Sequence, residues 1–244
     1  MSSDKEEARI VSAYARRKEL IPTTRYSFFN PANLLIQHEI ERNLLSSLSG
    51  LRFAPLLDKR ILEVGCGNGS WIRAFISWGA QPEHIVGIDL LEERIDEARR
   101  LLPKAVTLTS GSASTLKFPD HTFDLVLQFT LFSSILDGDL RRKIASEMLR
   151  VLRADGCVVW YDFHVSNPFN PDVRGLKKRE IRQLFPDCRI DFRRLTLAPP
   201  VARALGQVSP ALCRIFSELR IFSTHYLGFI LKNEPMSMEG TPTL

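Results

Sequence analysis

Residues 61–70, ILEVGCGNGS, constrain the chain more than any other stretch. An aliphatic run closed by Glu63 and Val64 reads as a buried strand. Gly65, Gly67 and Gly69, at alternate positions, separate it from the amphipathic segment SWIRAFISWGA. Glycines there let the backbone take positive φ and let a ligand approach without meeting Cβ atoms. A strand, a glycine turn and a helix in this order belong to a parallel sheet covered by helices, where ligands gather outside the carboxyl ends of the strands.

The rest of the chain continues that alternation. HIVGIDL, AVTLTSG, FDLVLQF and CVVWYDF read as further strands, and CRIDFRRLTLA and HYLGFILK as a sixth and seventh. Between them lie helices. The first opens at Ser70, read as its N-cap, and stops near Gly79. The next shows Leu91, Ile95, Ala98 and Leu102 on one face and ends at Pro103. DLRRKIASEMLRVLRADG carries the C-terminal helix signature of basic residues followed by Gly156. The reading divides the chain into an N-terminal helical cover at 1–58, a core domain at 59–232 and a tail at 233–244. The cover's apolar side is Leu34, Ile40, Leu44, Leu45 and Leu48. The core domain carries a partly apolar insertion at about 199–220, before the last strand.

Spacing decides between ligands. A dinucleotide turn needs G-x-G-x-x-G so that a pyrophosphate can rest on the helix N-terminus. Here the pattern is G-x-G-x-G, and Glu63 stands two residues before the first glycine, where a carboxylate suits an ammonium better than a phosphate. Asp89, at the tip of the second strand, offers a bidentate acceptor for two ribose hydroxyls. The ligand implied has an amino group and a ribose and lacks a pyrophosphate.

With LEVGCGNG, VGIDL and FPDHTFDLVL in that order, the chain resembles the class I S-adenosylmethionine-dependent methyltransferases, in particular the bacterial group acting on small molecules. The resemblance runs from about residue 59 to 232. It implies a Rossmann-like, mostly parallel α/β sheet of seven strands in the order 3-2-1-4-5-7-6, with the last strand antiparallel. It implies S-adenosyl-L-methionine as cofactor, with Glu63, Gly65 and Gly67 on the methionine portion and Cys66 between them in the cofactor-binding set. By the same resemblance Asp89 takes the ribose and Leu90 packs on the adenine. Ser112 and Ala113 lie near the adenine, Ser112 replacing a more typical Asp, and Gln128 and Phe129 wall the methyl group.

The acceptor is less constrained. A hydroxyl acceptor needs a base, and His164, just past the fifth strand, is the preferred candidate. Arg25, Tyr26, Phe29 and His38 are candidate substrate contacts if the N-terminal helices fold over the cleft. The insertion, together with Arg193 and Arg194, suits an acceptor with an apolar body and an anionic group. Residues 172–232 carry twelve Lys or Arg against five Asp or Glu, but no aromatic-interleaved basic ladder accompanies them, so nucleic acid is not the favoured partner.

Uncharged runs such as residues 125–136, twelve residues long, fall short of the roughly 20 a membrane span requires. The N-terminal stretch has no apolar signal core, which points to a cytoplasmic protein. Four scattered cysteines suggest neither a zinc site nor a disulfide framework. The expectation is a methyltransferase for a small molecule, acting on a hydroxyl oxygen, with no metal. The alternatives are an RNA or protein methyltransferase, or a cofactor-binding scaffold without turnover. Oligomeric state is left open.

Overall fold

The computed structural model describes residues 3–20, 27–167, 170–198, 201, 216, 220 and 222–233. Seven strands form one sheet: β1 (Ile61–Val64), β2 (Ile85–Asp89), β3 (Thr107–Ser110), β4 (Phe123–Phe129), β5 (Leu152–Phe163), β6 (Cys188–Leu197) and β7 (Ser223–Lys232). Their order is β3-β2-β1-β4-β5-β7-β6. The pairs from β3 to β5 are parallel, and β7 runs antiparallel to both β5 and β6. The central strands β1 and β4 are buried along nearly their whole length, because helices cover both faces.

Among the described residues six α-helices accompany the strands: α1 (Ser3–Leu20), α2 (Pro31–Gly50), α3 (Ser70–Ser77), α4 (Glu92–Leu101), α5 (Gly138–Val151) and α6 (Lys178–Leu184). One face of the sheet packs Ile61, Leu125, Val159 and Leu227 against Leu44 and Leu48 of α2, Ile72 and Phe75 of α3, and Ile95 and Ala98 of α4. The other packs Leu62, Val126, Val158 and Trp160 against Ile144 and Met148 of α5, Ile181 of α6 and Ile10 of α1. In α2 the apolar side is narrower than the sequence suggests, since Leu45 is exposed while Ile40, Leu44 and Leu48 are buried.

Two boundaries differ from the sequence reading. Ser70 is the first residue of α3 and not its cap. The cap is Gly69, at φ 76°, with no side-chain hydrogen bond, while the Ser70 hydroxyl donates to Asn68 Oδ1 at 2.9 Å. The helix assigned as far as Gly156 ends at Val151, and β5 begins at Leu152. Gly156 is a strand glycine, where a Cβ would lie 2.9 Å from the Asp124 carbonyl oxygen, so its role is close strand approach and not helix termination.

Candidate active site

The glycine turn is tied to the tip of β2. Gly65 N and Cys66 N both donate to the Ile88 carbonyl, at 2.8 and 3.0 Å, and Gly67 N donates to Asp89 Oδ2 at 2.8 Å. Asp89 Oδ1 accepts from Leu91 N at 3.0 Å. Asp89 thus fixes the turn's shape as well as facing the space outside the strands, and each oxygen keeps a lone pair for a ligand. All three glycines have positive φ, and Cβ atoms on Gly65 and Gly67 would come within 3.0 Å of Leu131 and 3.1 Å of Arg94.

A cavity with an open mouth lies above this turn. Six of the residues singled out by sequence line it: Gly65, Asp89, Leu90, Ser112, Ala113 and Phe129. Four others do not. Glu63 lies beneath the turn, 1% exposed, with its Oε2 unpartnered and the Ile72 N–H of α3 against its carboxyl. Burial, reinforced by the nearby Asp89 charge, raises its pKa well above the usual carboxylate range. The Cys66 thiol is buried, and a Cβ on Gly87 would lie only 2.9 Å from it. Gly67 meets Asp89 and Arg94 instead of the cavity. Gln128 is fully buried, its Oε1 accepting from Leu131 N at 3.1 Å, and so shapes the turn after β4.

The remainder of the lining was not visible in the sequence reading. Glu7, Ile10 and Tyr14 of α1 close one side, with Arg94, Thr130 and Leu131 beyond. Arg94 stacks its guanidinium 4.5 Å from the centre of the Tyr14 ring. Thr130, a β-branched residue at φ 58°, is held by its N–H on the Tyr161 carbonyl at 2.7 Å. Strained residues of this kind concentrate at binding sites. The signal for α1 was the pair Ile10 and Tyr14 at helical spacing among many charges, too sparse to stand out as an apolar face.

Of the substrate candidates, Arg25 and Tyr26 lie outside the described residues, as do the tail from 234 and most of the insertion at 199–220. Phe29 is 99% exposed, His38 is also exposed, and neither lines the cavity. His164 follows β5 directly, buried, with its ring 4.3 Å from Tyr226 and its Nε2 without a partner. It too lies outside the cavity lining. Burial lowers its pKa, keeping the imidazole neutral. On the opposite face of the sheet Phe129 stacks on Trp71 at 4.3 Å and meets Tyr161, whose hydroxyl bonds Thr196 Oγ1 at 2.5 Å.

The residues fit a nucleoside sulfonium with an amino acid tail. Asp89 offers acceptors for ribose hydroxyls, the glycines leave backbone room, Arg94 brings a cation for a carboxylate, and Glu63 Oε2 is a buried polar atom left without a partner. No group of three or more His, Cys, Asp or Glu side chains suited to a metal occurs among the described residues.

Sheet order and glycine turn together are those of the class I S-adenosylmethionine-dependent methyltransferase fold. Residues 61–156, from β1 into β5, match the model of a methyltransferase domain. The chain is 32% identical over 133 residues to a phthiotriol/phenolphthiotriol dimycocerosates methyltransferase of Mycobacterium ulcerans, covering 52% of this chain and 47% of that one. It is 33% identical over 110 residues to a fatty-acid O-methyltransferase of Mycolicibacterium smegmatis, covering 45% and 39%. The matches span less than half the length of these relatives. The phosphoethanolamine N-methyltransferase 1 of Haemonchus contortus, solved with phosphoethanolamine and S-adenosylhomocysteine, shares the fold at a TM-score of 0.62 and 15% identity, over 99% of this chain and 52% of that one.

Proposed function

We propose that this chain transfers a methyl group from S-adenosylmethionine to a hydroxyl oxygen of a small cytoplasmic molecule with an apolar body and an anionic group. The observation carrying this reading is the cavity itself. Gly65 and Asp89 bound it at the carboxyl ends of β1 and β2, and Phe129 and Thr130 bound it just past β4. When bound, the sulfonium supplies an electrophilic methyl group. The chain's contribution is alignment: Asp89 and the glycine turn fix the nucleoside, while the turn held by Gln128 and Thr130 sets the wall against which an acceptor would lie. An apolar acceptor body is supported by Phe129 and Leu131 on the cavity wall and by the dimycocerosate and fatty-acid relatives. The fatty-acid name also combines an apolar chain with an anionic group.

A hydroxyl must lose its proton as it is methylated. We assign that proton to His164, directly after β5, whose lowered pKa leaves the imidazole neutral and able to accept it at neutral pH. The test is incubation of the chain with methyl-labelled S-adenosylmethionine and extracts of cells that make it. Label is expected in an organic-extractable small molecule. Label confined to RNA or protein contradicts the acceptor class, and no transfer to any fraction supports the scaffold reading.

A further inference from the structure

The part of the cavity away from the glycine turn is an apolar slot with one polar edge. Leu90, Ala113, Ile10 and Ile144 supply the apolar surface. The edge is built by two segments far apart in sequence: Ser112, just after β3, and Glu7, on α1. Ser112 Oγ donates to Glu7 Oε1 at 2.5 Å, accepts from Ser114 N at 3.1 Å and lies 2.7 Å from Ser114 Oγ. A hydroxyl has one proton and two lone pairs, so these partners use Ser112 up. The sequence reading gave the adenine contact to Ser112, yet its hydroxyl has little left to offer a ligand. Glu7 is different. It is half-buried on the cavity wall, and Ser112 occupies a single site on one of its two oxygens.

We infer that Glu7, carried by α1, is the residue that selects the cofactor's purine by accepting a hydrogen bond from its exocyclic amine. The inference rests on the cofactor reading above and assigns the base-recognition group within it. An ionised carboxylate only accepts. It therefore favours a flat ring with an amino donor on its edge and opposes one that presents a carbonyl oxygen there. An apolar slot around that edge strengthens the discrimination, because a mismatched ring leaves the carboxylate desolvated and unpaired. The helix bearing Glu7 is anchored without it: Glu6 accepts from the backbone N–H groups of Leu136 and Asp137, Arg9 donates to the Ser134 carbonyl at 2.6 Å, and Tyr14 OH lies 3.1 Å from Ser134 Oγ. Changing Glu7 alone leaves α1 in place.

Calorimetry on the full chain tests this with two ligands, S-adenosylhomocysteine and S-inosylhomocysteine, in which a ring carbonyl replaces the amine. The native chain is expected to prefer the adenosyl ligand by about tenfold to hundredfold. Glu7→Gln, whose amide both donates and accepts, is expected to reduce that ratio to within about threefold by strengthening inosyl binding relative to adenosyl. Equal affinity of the native chain for the two ligands overturns the inference without any variant. An unchanged ratio in Glu7→Gln overturns the role of Glu7 while leaving the cofactor assignment intact. Failure of the native chain to bind S-adenosylhomocysteine overturns the cofactor reading and this inference with it.

Discussion

Gly69 shows how much of the site rests on single backbone positions. It caps α3 at φ 76°, and a Cβ there would fall 2.5 Å from Leu102 Cδ1. Gly69→Ala is expected to lower stability by about 1–2 kcal/mol, the cost of a left-handed alanine, with some further cost if Leu102 cannot move. Urea unfolding checks this, and an unchanged midpoint contradicts it. These glycines were legible because positive φ at three alternate positions strongly favours a residue without a Cβ. Gln128 and Cys66 were read as ligand contacts, because sequence places them at strand tips but does not say which way a side chain turns. The structure gives Gln128 to a backbone turn and Cys66 to the core. For His164, replacement by Gln is expected to remove most turnover on a hydroxyl acceptor while leaving S-adenosylhomocysteine affinity within about twofold. Turnover at the native rate removes it from the proposed mechanism.

Helix α1 was read as cover, and its part in the cavity wall was missed for a physical reason. It docks mainly through charge: Glu6, fully buried, pairs with Arg9 at 2.8 Å and accepts backbone N–H groups at the start of α5. Arg9 and Arg16 both reach Asp172, and Lys18 reaches Glu93. Docking of this kind leaves no apolar stripe for a periodicity argument to find. Removing one member of a buried hydrogen-bonded pair costs far more than the pair contributes. Glu6→Ala is therefore expected to free α1, with new tryptic cleavage at Arg9, Arg16 or Arg17 under native conditions and at least tenfold weaker S-adenosylhomocysteine binding. Cleavage without loss of affinity would separate α1 from the cofactor site. The end of α5 was misread for a related reason. Basic residues followed by glycine look the same whether the glycine stops a helix or lets two strands approach, and only the pairing of Leu152 with Phe123 decides.

The sheet order followed from the family resemblance, and the alternation of apolar runs with amphipathic segments agrees with it, since buried parallel strands and their helices impose distinct periods. Acid stability follows from what that sheet buries. His225, stacked 4.7 Å from Tyr161, is held at a pKa of about 3 by burial and then by His164, against 6.5 unfolded. The depressed value means that its stabilising contribution is complete above pH 6.5 and is lost as pH falls toward 3, at up to about 1.4 kcal/mol per pH unit. Asp162, raised from 3.8 to about 6 by burial, acts with the opposite sign, because the folded chain holds a proton that the unfolded chain has released. His225→Phe keeps the ring stack and is expected to flatten the fall in stability between pH 6.5 and 4, as read by chemical unfolding; a slope identical to the native one contradicts this. Calorimetry with S-adenosylhomocysteine tests most directly whether the cavity at the carboxyl ends of β1 and β2 holds the cofactor. Saturable binding at one site per chain is expected, weakened about tenfold to a hundredfold by Asp89→Ala, on the order of 1–3 kcal/mol for the lost charge-assisted hydrogen bonds. Absence of binding to the native chain, or an Asp89→Ala variant that binds as tightly as the native chain, would contradict it.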